Sequence, residues 1–205
     1  MLARTIFGSV GAKIEGRENV PTRGPVLMVA NHQSFLDPLF VALSCPQRQI
    51  HYMAKEELFR VSTSRHMMLG LGAFPVDRRG PTRATLAHVL KLLREGRCVC
   101  LFAEGTRSKD GSLRPFQPGF ARLAKKTGTP VVPIALRGSR NLFEDIQGVS
   151  LPLWSRYIGY PEPRLKACPP ISPEHSAEEI TERAHQAVKQ AIEEWEHPEA
   201  NGPDT

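Results

Sequence analysis

The sequence predicts an α/β fold, a single layered domain with a mostly parallel central sheet flanked by helices. Two observations carry that expectation. Short apolar runs of strand character alternate along the chain with stretches of helical periodicity. Polar clusters stand directly after three of those runs, where open parallel sheets gather ligands at the carboxyl ends of their strands.

Residues 26–30 follow Arg23, Gly24 and Pro25 and read as a buried strand. Asp37 and Pro38 open a helix over 39–43, Asp37 as the cap and Pro38 at the first helical position. Next come a strand at 50–54, a helical turn at 56–59, a short helix at 64–69 stopped by Gly70, and a strand at 73–76. Thr82 can cap a helix whose apolar stripe is Leu86, Val89, Leu90 and Leu93 and which Gly96 ends. A strand at 98–102 and a helix at 120–126 stopped by Gly128 lead to a strand at 131–136. Pro133 inside that strand lacks a ladder donor, which suggests an edge, a bulge or a strand end. Residues 141–163 read as loops and 165–168 as one more strand. The closing helix puts Ala177, Ile180, Ala184, Val188, Ala191 and Trp195 on one face.

The 205 residues suffice for one sizeable core. One domain is expected over 1–196, with the motif-bearing part at 10–140, a helical part at 141–196 and a disordered tail at 197–205. A hydrophobic content of 40% and a charged content of 23% exclude a disordered, collagen-like or coiled-coil chain. No uncharged stretch approaches the roughly 18 residues of a membrane-spanning helix. The first residues have one Arg and no long apolar core, so no secretory signal is expected. Four cysteines are too few for a disulfide scaffold, and reduced thiols fit a cytosolic protein. Cys98 and Cys100 share a strand face and are expected in the core.

Charge is divided unevenly. Residues 1–140 carry 22 Lys and Arg against 9 Asp and Glu, a net of +13; residues 141–205 carry 5 against 12, a net of −7. The first two-thirds attracts anions: nucleic acid, an anionic membrane surface, or phosphorylated small molecules.

Three strand ends carry the chemistry. The first holds His32 and Asp37. Five residues apart, they would diverge by about 140° on a helix, but a strand-to-helix turn can bring them together. A His held by a carboxylate is a general base of fixed tautomer, whereas the bland alternative is a helix cap beside a polar turn. The second holds Asp77, Arg78 and Arg79 before a turn at Gly80 and Pro81, suited to bidentate phosphate binding or merely solvated. The third holds Glu104, Gly105, Thr106, Arg107, Ser108 and Lys109. Gly105 admits close backbone approach, and the hydroxyls and cations around it can cradle a phosphate, or form an ordinary polar turn. The spacing of a Walker loop is absent, so ATP is not indicated.

Taken in order, these blocks resemble the glycerolipid acyltransferases of the 1-acylglycerol-3-phosphate acyltransferase family. Asn31, His32 and Asp37 form the first block; Gly72, Phe74, Pro75, Val76, Asp77 and Arg78 the second; Phe102, Glu104, Gly105, Thr106, Arg107 and Ser108 the third; Val132, Pro133 and Ile134 the fourth. One departure is Ala103, where the family usually has Pro before the Glu, a change expected to loosen the turn. The resemblance implies acyl transfer from a thioester, acyl-CoA or acyl-carrier protein, to the free hydroxyl of a lysophospholipid, chiefly 1-acyl-sn-glycerol 3-phosphate. It implies His32 as base and Asp37 as its orienting partner, with no covalent acyl-enzyme. It places Arg78, Arg107 and Lys109 at the acceptor's phosphate, with Glu104, Gly105 and Thr106 shaping its site. Asp77 and Pro133 are structural on this reading. No metal and no cofactor beyond the thioester co-substrate are expected.

The substrate is amphiphilic, so the basic surface is expected to hold the protein peripherally on the inner face of the cell membrane, at about 1 kcal/mol per Lys or Arg near the lipid. Leu2, Ile6, Phe7 and Val10 offer an apolar patch, or an edge strand or loose terminus. Competing readings are a different lysolipid acceptor, a lipid hydrolase with Ser34 as nucleophile, and a basic nucleic-acid-binding domain. Nucleic acid is not expected as a partner, because aromatics for base stacking are sparse.

Overall fold

The computed structural model describes residues 11–60, 62–77, 81–139 and 162–197. Arg78, the apolar residues 2–10, most of the 141–163 stretch and nearly all of the 197–205 tail lie outside the described residues.

One sheet of seven strands organises the described residues, in the order β1-β7-β6-β2-β5-β3-β4. The strands are β1 (Lys13–Glu15), β2 (Val26–Ala30), β3 (Ile50–Lys55), β4 (Ala73–Val76), β5 (Cys98–Phe102), β6 (Val131–Arg137) and β7 (Arg164–Ala167). All neighbours pair in parallel except β6 and β7. β2 is central, paired with β5 and β6, and each of its residues is buried. An unbroken apolar strand is what a parallel strand covered on both faces requires.

Side chains alternate between two cores. Met28 and Ala30 of β2 join Tyr52, Cys98 and Cys100 under α1 (Asp37–Val41) and α2 (Ser62–Gly70), which contribute Phe40, Val41 and Met68. Leu27 and Val29 face the other way, under α3 (Arg83–Arg94), α4 (Gly119–Thr127) and α5 (Ala177–Glu196). Cys98 and Cys100 are therefore core residues.

The helix ends follow local chemistry. Thr82 accepts from the Thr85 N–H, and Gly128 turns the end of α4 in the left-handed region at φ 63°. Ser176 and Glu179 form a reciprocal capping box on α5. On α3 the buried stripe is Val89, Leu92 and Leu93 with Thr85, so Leu92 joins the face and Leu86 is only partly covered.

Three details differ from the sequence expectations, and a fourth, Pro133, falls to one of its alternatives. β1 was not foreseen, because three residues at the sheet edge leave almost no periodic signal. Gly70 is the last residue of α2, and the reversal belongs to Gly72 at φ 77°. A Cβ on Gly72 would collide with the Ile50 carbonyl. Asp37 is the first residue of α1, and its carboxylate does not cap that helix. Pro133 sits in an interior strand, paired with Val29 of β2. Of the three explanations offered for it, the bulge fits. Between the pairs Ile134↔Ala167 and Val131↔Ile171 the partner segment holds Cys168, Pro169 and Pro170 opposite Val132 and Pro133, one residue more. Pro133 faces that bulge and its carbonyl still accepts from the Cys168 N–H at 2.8 Å.

Candidate active site

The site lies at the carboxyl end of β2, beside that of β5. β2 stops pairing with β6 at Ala30↔Ile134. The side chain of Asn31 then takes over the ladder. Its Nδ2 donates to the Leu136 carbonyl at 2.9 Å and its Oδ1 accepts the Leu136 N–H at 2.8 Å. The amide keeps β6 satisfied while the backbone of Asn31 turns out of the sheet, and His32 is the next residue.

His32 Nδ1 stands 2.7 Å from Asp37 Oδ2. The same oxygen accepts the N–H groups of Gln33 at 2.7 Å and Ser34 at 2.8 Å. Asp37 is fully buried, while the His32 side chain is 19% exposed. An ionised carboxylate is acceptor-only, so Nδ1 carries the proton and Nε2 keeps a free lone pair. The imidazole stacks on Phe102, the last residue of β5, at 3.9 Å between centroids and 18° between planes. The ring is thus fixed at one edge by the carboxylate and on one face by an aromatic ring.

The turn after β5 closes around the same residue. Glu104 Oε1 accepts the His32 N–H at 3.2 Å, and the Ser108 N–H donates to the His32 carbonyl at 2.8 Å. Gln33 Nε2 donates to the Gly111 carbonyl at 3.1 Å. Gly105 adopts φ 73° with open space around its Cβ position, as a tight turn beside a ligand site needs. Ala103 does not leave this turn loose. Its N–H donates to the Ala30 carbonyl at 3.0 Å, a rung that Pro could not supply, and its carbonyl accepts from Gln117 at 2.8 Å.

Glu104 is buried, and its Oε2 finds no hydrogen-bond partner. Burial pushes its carboxyl up to about 7, against the pull of the His32 N–H and of Arg114 and with the push of Asp37. Half-buried Arg114 was not singled out from sequence, because it lies beyond the matching block.

The structure therefore brings His32, Asp37 and Glu104 together, with Gly105 shaping their turn. Thr106, Arg107 and Lys109 are exposed on the same turn, at the rim. Asn31, Phe102 and Arg114 enter the site without having been assigned a role from sequence, and buried Ser108, expected to offer its hydroxyl to a phosphate, gives it to Asp110 instead. Asn31 and Ser108 were visible inside the matching blocks; the stacking of Phe102 depends on strand pairing, which sequence does not show. An open cavity of about 520 Å³ lies at the opposite end of the sheet, lined by Glu15, Asn19, Lys166 and Glu194 among others. Lys166 and Glu194 pair there at 2.6 Å, and none of the site residues reaches it. Among the described residues no cluster of three His, Cys, Asp or Glu side chains could hold a metal, and no helix is long and apolar enough to cross a membrane.

The segment that carries the His–Asp pair at the end of the central strand and the Glu-Gly-Thr-Arg turn is matched by the Acyltransferase family model, over residues 11–137. The chain belongs to the Acyltransferase family. It is 34% identical over 134 residues to the 1-acyl-sn-glycerol-3-phosphate acyltransferase of Borreliella burgdorferi, covering 63% of this chain and 52% of that protein. It is 33% identical over 128 residues to the enzyme of the same name from Bacillus subtilis, covering 62% of this chain and 63% of that one. This acyltransferase chain thus spans about half to two-thirds of these relatives' length. The crystal structure of the 1-acyl-sn-glycerophosphate (LPA) acyltransferase PlsC from Thermotoga maritima superposes with a TM-score of 0.76 at 27% identity, covering 95% of this chain and 76% of that one.

The raised carboxyl of Glu104 gives stability a pH dependence. The native state holds its proton up to about pH 7, whereas the unfolded chain releases it near 4.5. Native protein binds more protons in that window, so this group's contribution falls as pH rises through it. Glu104→Gln removes the titration and keeps an acceptor oxygen. Relative to wild type, its unfolding free energy, read from urea titrations, is expected to rise between pH 5 and pH 8. Parallel pH curves for the two proteins would contradict the assignment.

Proposed function

We propose that this chain transfers a fatty acyl group from an acyl thioester, acyl-CoA or acyl-carrier protein, to the free hydroxyl of 1-acyl-sn-glycerol 3-phosphate, giving phosphatidic acid. The observation that carries the reading is the contact between His32 Nδ1 and buried Asp37, which leaves Nε2 as the available base. Nε2 takes the hydroxyl proton as the oxygen attacks the thioester carbonyl. The C–O bond forms, the C–S bond breaks, and the imidazolium returns its proton to the departing thiolate. Asp37 stays ionised and steadies the imidazolium between the two transfers. A positioned base of this kind supplies about a hundred- to ten-thousand-fold in rate, and alignment of the two substrates supplies more.

Direct transfer is supported by the lack of an activated nucleophile among the described residues beside His32. Ser34 is buried, and its Oγ accepts the Leu36 N–H. The cysteines are all buried, and burial raises the thiols, Cys98 to about 12 and Cys168 to about 11. Hydrolysis through an acyl-serine is the weaker reading for that reason.

Arg107 and Lys109, exposed on the turn that braces His32, are the described candidates for the acceptor's phosphate. Exposed Lys55, Arg60 and Arg83 extend the cationic surface near the same end of the sheet. This surface supports peripheral attachment to anionic lipid, where the acceptor resides.

With 1-acyl-sn-glycerol 3-phosphate and either thioester, followed by mass spectrometry, His32→Ala and Asp37→Asn should each lower turnover about a hundredfold or more while circular dichroism stays native. Arg107→Ala should raise the KM for the acceptor and leave kcat within about twofold; an unchanged KM removes that role. In flotation assays the protein should rise with anionic liposomes and detach in salt. Binding indifferent to both salt and lipid charge would argue against electrostatic attachment.

A further inference from the structure

The turn after β5 continues past Lys109. Asp110 is exposed, yet its Oδ1 accepts three hydrogen bonds: from Ser108 Oγ at 2.9 Å, Ser112 N at 3.0 Å and Ser112 Oγ at 2.7 Å. These donors hold its carboxyl well below the usual carboxylate range. Ser108, itself buried, is the residue whose N–H grips the His32 carbonyl at 2.8 Å. The neighbouring Gly111 carbonyl receives Gln33 Nε2. One turn of backbone therefore meets two successive residues of the loop that carries the base.

We propose that Asp110 is a positioning residue for His32, acting through Ser108. This rests on His32 being the base. The imidazole is aimed by two anchors of different kinds. Asp37 holds the ring edge, while Glu104 and Ser108 hold the N–H and the C=O of the same residue. The ring anchor fixes direction only if the main chain beneath it is fixed too. A short loop braced at one peptide group transmits any slackening of that brace to Nε2, and small displacements of a base cost rate more than binding. Asp110 freezes the turn so that the Ser108 N–H stays on the His32 carbonyl. It touches neither the ring nor a plausible acceptor, so its influence falls on kcat.

The test uses the full chain and two readouts. Asp110→Ala should lower kcat about tenfold and leave the acceptor KM within about twofold. Asp110→Asn keeps an acceptor oxygen and should restore kcat to within about threefold of wild type. Ser108→Ala keeps the N–H but cuts its tie to Asp110, and should shift kcat in the same direction. Amide hydrogen exchange, followed by NMR, should show faster exchange at His32 and Ser108 in Asp110→Ala, with the β2 amides unchanged. A raised KM at constant kcat, a failure of Asp110→Asn to rescue, or unchanged exchange at both amides would overturn the proposal. The exchange readout needs no substrate. An inactive wild-type protein would count against the proposed reaction, while the exchange result still decides whether the brace exists.

Discussion

A single carboxylate oxygen organises the loop that carries His32. Asp37 Oδ2 collects the His32 ring N–H and the N–H groups of Gln33 and Ser34, all within 2.8 Å. A buried polar oxygen needs partners, and three N–H donors supply them here. The same bonds fold residues 32–37 into a bend, so the pair is formed by the loop rather than brought together by distant elements. The His–Asp geometry and the strand-to-helix turn are one structure with one cause. α1, only five residues long, starts with Asp37 itself, and Pro38 fits its first turn.

Much of this was legible in the chain. Apolar runs at 26–30, 98–102 and 131–136 marked the three central strands, because strands covered on both faces leave continuous apolar sequence. The closing helix was visible in its stripe of Ile180, Ala184, Val188 and Ala191. Less legible were features that depend on a partner distant in sequence. Pro133 is admitted to an interior strand only because the bulge at 168–170 lies opposite. Asn31 replaces a backbone rung on Leu136, 105 residues away. The role of Asp37 was read as both helix cap and His partner; burial and two backbone N–H groups settle its orientation, and no spacing rule reveals burial.

The site also shows how one polar turn divides its duties. Glu104 and Ser108 face inward onto the His32 main chain, while Thr106, Arg107 and Lys109 face solvent. One short loop can thus brace the His32 main chain and display cations together. Gly105, at φ 73°, permits that switch of direction. Under the proposed function the acceptor's phosphate is met by the same segment that holds His32, which ties substrate position to His32 through a few backbone bonds.

The account stands on the protonation pattern of one ring. Nitrogen-15 NMR of selectively labelled protein, read through the His32 imidazole, reports which nitrogen carries the proton in the neutral form. The geometry requires it on Nδ1, bonded to Asp37, with Nε2 bare. A His32 ring protonated at Nε2, or one averaging rapidly between the two tautomers, would mean that Asp37 does not hold the imidazole and that the general-base account is wrong.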